Sequence, residues 1–296
     1  MKPSPQSAIN AVTGFAHLTD LPCYELQCAQ ARVIVSLYGG HVLSYQPRPG
    51  QDVLWVSPLA RWHDGYPIRG GVPVCWPWFG PVSTVLNPEQ QSLPNHGLVR
   101  TRMWSVQQQT VTAEFTQLTL SISVADLPSG IANVHSAAAE LSLTVTLTAT
   151  DLTMALSCSS PLLQQAALHS YFAVTALEQV HVAGIGQSYL DKVLANQLIR
   201  ESTPVTFSQE IDRVYTAPAP VLHLDTGQHR LAIAQTGFDS TVVWNPFVSR
   251  CAAIADLADD NYNAFVCVET ARLQLDHAAP LALSQKIGQQ VSQQKS

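Results

Sequence analysis

Two short segments carry the residues with the clearest chemical potential. Residues 67–81 read Pro-Ile-Arg-Gly-Gly-Val-Pro-Val-Cys-Trp-Pro-Trp-Phe-Gly-Pro, and residues 95–100 read Asn-His-Gly-Leu-Val-Arg. This density of proline and glycine is incompatible with a helix or a regular strand. An irregular segment that is also apolar and aromatic usually lines a cavity. Arg69, His96 and Arg100 would then face an anionic small molecule whose protons are moved.

The two arginines stand out because the chain is poor in cations. It has 15 Lys and Arg among 296 residues, and two of them lie inside apolar loops rich in glycine and proline. Arginine is suited to a bidentate grip on phosphate or carboxylate. Arg69 and Arg100 could also be ordinary surface cations, and the local sequence leaves both interpretations open.

His169 and Glu269 are candidates for acid–base chemistry. His169 opens the segment 168–174, which reads as a strand, and its side chain would share a face with Tyr171. A histidine on a strand is often a core residue. Glu269 ends an apolar run, and a buried carboxylate is either ion-paired or a base with a raised pKa. Arg272, three residues later, offers it a salt bridge.

Asp212 has two interpretations as well: it could pair with the neighbouring Arg213, or it could accept hydrogen bonds from sugar hydroxyls. The sequence contains no metal-ligand spacing, phosphate-binding loop, dinucleotide fingerprint or nucleophile turn. We therefore expect neither a metal nor a cofactor. Chemistry without them leaves proton transfer as the main option.

The elements that must position these residues are strands. Apolar and polar residues alternate with period two over 118–124, 141–148 and 152–158, and the last two segments form a candidate antiparallel hairpin. Weaker patterns predict further strands at 31–37, 41–45, 53–56, 169–174, 221–224, 230–235, 241–244 and 264–269. Many short strands and little helical pattern predict an all-β fold, a large sandwich of antiparallel sheets. We predict a single domain over 1–296, with its core at about 20–286 and both ends loose.

The bulk composition limits the class of partner. Hydrophobic residues make up 46% and charged residues only 12%, and the net charge is −6. That charge argues against nucleic acid and anionic membranes as partners. The chain shows neither a signal-peptide pattern nor an apolar run of membrane-spanning length. The six scattered cysteines indicate buried reduced thiols, so we expect a cytoplasmic protein. We also expect it to be a monomer.

Six motifs, in this order along the chain, resemble those of the glucose-6-phosphate 1-epimerase (hexose-6-phosphate mutarotase) family, part of the galactose-mutarotase-like superfamily. The resemblance spans roughly residues 30 to 285. The first two motifs are specific to the phosphate branch of that superfamily. The six are the segments 69–80, 94–100, 168–172, 211–215, 242–246 and 266–269.

The resemblance implies a large β-sandwich (a supersandwich of the galactose-mutarotase type) with a sugar-phosphate groove. It implies His169 as the catalytic acid and Glu269 as the base. It also implies substrate contacts, for which we take Arg69, Asn95, His96, Arg100 and Asp212. Close relatives often carry Gln where this chain has Asn95, which is one methylene shorter. Trp76, Trp78 and Phe79 could wall the groove, and core packing explains any one of them equally well.

The sequence therefore predicts an isomerase that interconverts the α and β anomers of a hexose 6-phosphate, most directly glucose 6-phosphate. Three alternatives remain open. The chain could be a mutarotase of unphosphorylated aldoses, or a non-catalytic carbohydrate-binding sandwich in which His169 is structural. It could also be a glycoside hydrolase or lyase that uses Asp212 and Glu269 as a carboxylate pair.

Overall fold

The computed structural model describes residues 7–131, 138–201 and 203–290, and this part of the chain is built almost entirely of strands. The first ten strands are β1 (Ala8–Phe15), β2 (Leu18–Cys28), β3 (Ala31–Ser36), β4 (His41–Gln46), β5 (Val74–Cys75), β6 (Ser105–Val111), β7 (Phe115–Val124), β8 (Ala139–Thr148), β9 (Asp151–Leu162) and β10 (Ala166–Leu168). The next ten are β11 (Tyr171–Ala173), β12 (His181–Ala183), β13 (Ser188–Asp191), β14 (Gln197–Arg200), β15 (Ile211–Tyr215), β16 (Val221–Asp225), β17 (Arg230–Thr236), β18 (Ser240–Asn245), β19 (Phe265–Arg272) and β20 (Ala279–Gln289). One α-helix, α1 (Phe247–Ala252), and two 3₁₀ turns, Leu177–Gln179 and Asn261–Asn263, complete the described elements.

The strands form three antiparallel sheets. The first is the four-stranded β1-β2-β3-β4. The second, which we call the site sheet, runs β14-β13-β15-β18-β19-β10-β5, and β11 also pairs with β19. The third, which we call the back sheet, runs β12-β16-β17-β20-β9-β8-β7-β6. The predicted all-β sandwich of antiparallel sheets is confirmed.

The strands with the clearest alternation lie in the back sheet. Residues 118–124 belong to β7, and the predicted hairpin is β8 paired with β9, with Leu143 opposite Leu156. The apolar partners on these strands are buried and the threonines between them are half-exposed. The apolar face of these strands therefore packs into the core while their polar face meets solvent, as period-two patterning predicts.

The main core lies between the sheets and contains buried side chains from all three. Val268 of the site sheet, Leu283 of the back sheet and Val33 of the first sheet belong to one apolar cluster. Neighbouring residues on β19 point to the opposite face of the site sheet, so Glu269 faces away from this core. In the part of the chain that the structure describes, no helix has the length and apolar character needed to cross a bilayer.

The sequence predictions are wrong at both ends of the chain and for two of the weaker strands. The first 20 residues are not all loose, because β1 pairs with β2 over Ala8–Phe15, and at the other end β20 continues to Gln289. Residues 53–56 form isolated bridges, not a strand. The strand expected at 169–174 is shorter, β11 alone, and follows a break at 169–170. Residues 1–6 and 291–296 lie outside the described residues.

Candidate active site

All seven predicted site residues line one cavity of about 770 Å³. The cavity lies over the face of the site sheet that points away from the main core. Residues from two loops, 65–81 and 94–101, close one side of it, and residues of β15, β18 and β19 form its floor. The seven are Arg69, Asn95, His96, Arg100, His169, Asp212 and Glu269.

The strand register explains how the floor is assembled. Glu269 lies opposite Val242, and Trp244, two residues further along β18, lies opposite Asp212. Side chains two apart on a strand share a face, so Glu269, Trp244 and Asp212 all point into the cavity. Antiparallel pairing over β15, β18 and β19 thus brings together residues far apart in the sequence.

His169 lies in the break between β10 and β11. Leu168 is opposite Thr270 and Tyr171 is opposite Cys267, and the same register places His169 opposite Glu269. The imidazole stacks on the Tyr171 ring, with centroids 4.8 Å apart and planes 8° apart. The predicted shared face of His169 and Tyr171 is therefore confirmed.

His169 and Glu269 form a buried pair. His169 Nε2 lies 3.5 Å from Glu269 Oε1, and the two residues are 6% and 1% exposed. The alternative that Glu269 is bridged by Arg272 is wrong, because Arg272 donates to the carbonyl of Pro280. Glu269 Oε2 and His169 Nδ1 are also buried, and neither has a hydrogen-bond partner among the described residues. Such atoms are normally satisfied, so we expect a ligand or an ordered water molecule to bind both.

Burial shifts the two pKa values in opposite directions. It raises the pKa of Glu269 well above its ordinary value; the Lys192 cation opposes this shift and Asp212 adds to it. Burial lowers the pKa of His169 well below its ordinary value, and the neighbouring His96 and Arg100 lower it further. Both shifts disfavour charge on the pair as a whole, so the pair titrates as one unit whose neutral form holds a single proton between the two groups.

The two arginines differ in their surroundings. Arg69 Nε donates to Asp256 Oδ1 at 3.1 Å, and Nη1 donates to the Tyr171 hydroxyl at 3.1 Å. Arg100 is 8% exposed and its Nε has no hydrogen-bond partner among the described residues. Within the same part of the chain Arg100 forms no ion pair either. Among the described residues Arg100 is therefore a buried cation without an ion-pair partner, although it is near enough to Glu269 to lower the pKa of that carboxyl.

The loop that carries Asn95 and His96 is held against the first loop by a tight backbone approach. Gly97 has φ +86° and pairs with Trp76, and a Cβ at this position would lie 1.9 Å from the Trp76 carbonyl oxygen. Only glycine fits there. His96 Nδ1 accepts from the Gly80 amide at 3.3 Å, so its proton belongs on Nε2. Asn95 is exposed at the cavity mouth.

The His96 imidazole is neutral. Burial lowers its pKa well below the ordinary value, and the Arg100, Lys192 and Arg69 cations lower it further. Its ring meets the His169 ring edge-on, with centroids 5.4 Å apart. His96 is therefore a neutral donor beside the buried pair.

Asp212 is paired, but not with Arg213. Its Oδ1 lies 3.5 Å from Lys192 Nζ, while Arg213 lies 3.5 Å from Asp191. Lys192 Nζ also lies 4.9 Å from the centre of the Phe79 ring. Burial raises the pKa of Asp212, and Lys192 opposes that shift. The Asp212–Lys192 pair places a carboxylate and an ammonium at the cavity wall.

The aromatic residues of the first loop divide between core and cavity. Trp76 and Trp78 are fully buried in the main core, whereas Phe79 lines the cavity. Sequence reasoning missed the cavity-lining Lys192, Glu210 and Arg250. No local pattern distinguishes these three: Lys192 follows β13, Glu210 precedes β15 and Arg250 lies in the short helix α1.

His169, Cys267 and Glu269 each offer an atom that could ligate a metal, and the three atoms lie within 4.8 Å of one another. A zinc site of this kind would need the thiolate form of the cysteine. Burial and the nearby Glu269 carboxylate raise the pKa of Cys267 well above its ordinary value, so without a metal the thiol is the favoured form. Metal-free chemistry stays a prediction. All six cysteines are free and buried.

The fold defines the class. The large antiparallel sandwich is the architecture of the galactose mutarotase-like proteins. A crystal structure of a "putative mutarotase" from Salmonella typhimurium superimposes with a TM-score of 0.81 at 26% identity, over 95% of this chain and 97% of that one. A galactose mutarotase-like protein from Clostridium acetobutylicum shares the fold with a TM-score of 0.64 at 12% identity, over 96% and 98% of the two chains.

Sequence comparison narrows the class to a family. The family model described as Aldose 1-epimerase matches residues 22–280. An Escherichia coli (strain K12) protein named "Putative glucose-6-phosphate 1-epimerase" is 31% identical over 266 residues, which cover 89% of this chain and 87% of that protein. The chain belongs to the aldose 1-epimerase family, whose reaction is the interconversion of sugar anomers.

Proposed function

We propose that this protein interconverts the α and β anomers of a hexose 6-phosphate, with glucose 6-phosphate as the principal substrate. The observation that carries the phosphate part is Arg100. A buried guanidinium without a carboxylate partner is costly unless a ligand compensates it. Arg100 lines the same cavity as the His169–Glu269 pair, so a sugar phosphate can meet both. The names of the relatives in Escherichia coli and Cenchrus ciliaris support the same substrate.

The proposed chemistry is ring opening and closure by proton transfer. Glu269 takes the proton of the C1 hydroxyl while His169 gives a proton to the ring oxygen, and the bond between C1 and the ring oxygen breaks to leave the open-chain aldehyde. After rotation about the C1–C2 bond, the reverse transfers close the ring on the other face of the carbonyl. Glu269 Oε2, which has no hydrogen-bond partner among the described residues, is the oxygen we assign to the C1 hydroxyl. Each positioned proton transfer accelerates a reaction by about 10²–10⁴-fold.

The remaining residues bind and orient the sugar phosphate. Arg100, with the unused donors of Arg69, takes the phosphate, and this remote contact places C1 against the pair. Asp212 accepts hydrogen bonds from sugar hydroxyls, and the neutral His96 donates one. Asn95, exposed at the mouth, contacts the substrate from outside.

The proposal is tested by anomer-exchange NMR on glucose 6-phosphate and on glucose in a non-phosphate buffer, with the uncatalysed rates subtracted. One charge-assisted phosphate contact is worth roughly 1.5–3 kcal/mol, so kcat/KM is expected to favour the phosphate ester by at least about tenfold. Equal rates on both sugars would assign the protein to free aldoses. Binding without exchange on either sugar would mean a carbohydrate-binding sandwich.

The pH dependence follows from the charges around the pair. kcat/KM is expected to fall at low pH, where the pair gains a second proton, and at high pH, where it loses its only one. The Lys192 cation stabilises the deprotonated pair, so Lys192→Met should raise the pKa of Glu269 and move the alkaline limb upward. Asp212 acts in the opposite sense, so Asp212→Asn should move the same limb downward.

These pH profiles are measured on glucose 6-sulfate, whose anionic group does not titrate in the range. Lys286→Met is the matched control, because Lys286 pairs with Asp151 on the back sheet and its loss should leave both limbs in place. An alkaline limb that stays fixed in both Lys192→Met and Asp212→Asn would refute the assignment of that limb to the pair.

A further inference from the structure

A buried polar network lies directly behind the His169–Glu269 pair, on the core side of the site sheet. Its members are no more than 2% exposed, although apolar side chains surround them. A buried amide or hydroxyl is costly unless its hydrogen bonds are made. The members are Ser170, Gln235, Thr241, Thr270 and Gln285.

Gln285 of the back sheet reaches both strands that carry the pair. Its Oε1 accepts from the Ser170 hydroxyl at 2.5 Å. Its Nε2 donates to the Thr270 hydroxyl at 2.9 Å and to the Val268 carbonyl at 3.3 Å. Ser170 directly follows His169, and Val268 and Thr270 flank Glu269. The three hydrogen bonds thus connect the residue after His169 and the residues on either side of Glu269 to a single side-chain amide.

Gln235 lies opposite Gln285 on the back sheet, and Thr241 lies opposite Thr270 on the site sheet. Gln235 Oε1 accepts from Thr270 at 3.0 Å and from Thr241 at 3.1 Å. Its Nε2 donates to Thr241 at 3.0 Å and to the carbonyl of Ala219 at 2.9 Å. Gln235 therefore makes as many buried hydrogen bonds as Gln285, yet it does not contact Ser170.

The break in the strand explains why His169 needs this support. Between β10 and β11 the backbone leaves regular pairing with β19, and one ladder bond, from the Val268 amide to the Ser170 carbonyl at 3.2 Å, bridges it. The Ser170 side chain adds a second attachment through Gln285. Stability alone would be served by an apolar residue that fills the same space, since satisfied buried polar groups are often no more stabilising than apolar ones.

We infer that Gln285 is a positioning residue for the acid–base pair: by joining Ser170 to Val268 and Thr270 across the core, it sets the separation and alignment of His169 and Glu269. This inference rests on the proposed role of those two residues in proton transfer, and not on the identity of the sugar. A proton-transfer pair is sensitive to its geometry, and a misplacement of about 1 Å can cost about 10²-fold in rate. The phosphate contacts, in contrast, belong to loops that Gln285 does not touch.

The experiment compares Gln285→Met with Gln235→Met. Both replace a buried amide of the same network by an apolar side chain, so both should lower Tm by a similar amount. We expect kcat to fall at least about tenfold in Gln285→Met, with KM changed by less than about threefold. Gln235→Met should keep kcat within about threefold of the wild type, because the link from Ser170 to β19 survives. Ser170→Ala removes the hydrogen bond from Ser170 to Gln285 by deleting a single hydroxyl, and it should lower kcat as Gln285→Met does. This variant provides the test if Gln285→Met does not fold.

Equal losses of kcat in Gln235→Met and Gln285→Met, or an unchanged kcat in Ser170→Ala, would overturn the positioning role. Glu269→Gln distinguishes this failure from a failure of the proposed function. If Glu269→Gln is inactive while Ser170→Ala is normal, only the positioning inference fails. If Glu269→Gln remains active, the acid–base assignment itself fails.

Discussion

Replacing Glu269 with Gln is expected to remove most of the anomerisation activity while the protein remains folded. The amide keeps the size of the carboxylate but cannot accept the C1 proton, so the loss should be at least about 10²-fold in kcat. Glu269 is 1% exposed and its Oε2 has no partner among the described residues. A neutral amide costs less to bury than a carboxylate, so Tm should stay equal or rise. Anomer-exchange NMR measures the rate, and thermal unfolding measures Tm.

His169→Ala is expected to lose activity to a similar extent, because the ring oxygen then has no acid. This variant also removes the stacking partner of Tyr171 and the group beside Glu269, so its Tm should fall. Glu210→Gln is the matched control: Glu210 lines the same cavity but is not placed in the reaction, and its loss should change kcat little. If Glu269→Gln or His169→Ala kept more than about a tenth of the wild-type rate, its acid–base role would be excluded.

The residues on the floor of this cavity are largely predictable from the sequence, because ionisable side chains interrupt strands that are otherwise apolar. Glu269 stands in an otherwise apolar strand, and His169 and Tyr171 are two apart, so the sequence alone predicts a shared face. The structure confirms that face and brings all seven predicted residues to one cavity. Their catalytic and binding roles remain proposals that the variants test.

The residues that the sequence did not reveal act through long-range contacts. Gln285 looks like one more polar residue on a strand, and only the packing of two sheets shows that it meets Ser170 and Thr270. Lys192 follows β13 in a turn, and its position over Phe79 depends on how the turn packs against a loop more than a hundred residues earlier. Spacing and periodicity describe single strands, so they carry no information about such partners.

The error at the amino-terminal end has a related cause. Residues 8–15 contain few strongly apolar side chains, so the sequence predicts a loose end there. In the structure β1 lies at an edge of the first sheet and is only half-buried. Its stability comes from backbone pairing with β2 more than from an apolar face. Edge strands of this kind lack the alternation on which sequence prediction depends.

Replacing Arg100 with Met is expected to reduce kcat/KM for glucose 6-phosphate by about 10- to 100-fold, because one charge-assisted phosphate contact worth roughly 1.5–3 kcal/mol is lost. Turnover of unphosphorylated glucose should change far less, since that sugar never makes the contact, and the shift that loss of the cation causes in the pKa values of His169 and Glu269 acts on both sugars alike. Without ligand, the variant should be at least as stable as the wild type, because a buried cation that has no ion-pair partner in the described part of the chain is replaced by an apolar side chain. The increase in Tm that added glucose 6-phosphate produces should be smaller in Arg100→Met than in the wild type.

Two other arginines give this prediction its controls. Arg102→Ala removes a cation two residues away that is paired with Asp126, and it should leave the preference between the two sugars intact. Arg69→Ala should slow both sugars, because Arg69 holds the Tyr171 hydroxyl and Tyr171 stacks on His169, and it should also lose part of the phosphate preference with the unused donors of Arg69. A loss on glucose 6-phosphate with little change on glucose is thus expected of Arg100 and not of Arg69. If Arg100→Met slowed glucose as strongly as glucose 6-phosphate and also lowered Tm, Arg100 would be a structural residue of its loop, and the phosphate specificity would need another origin.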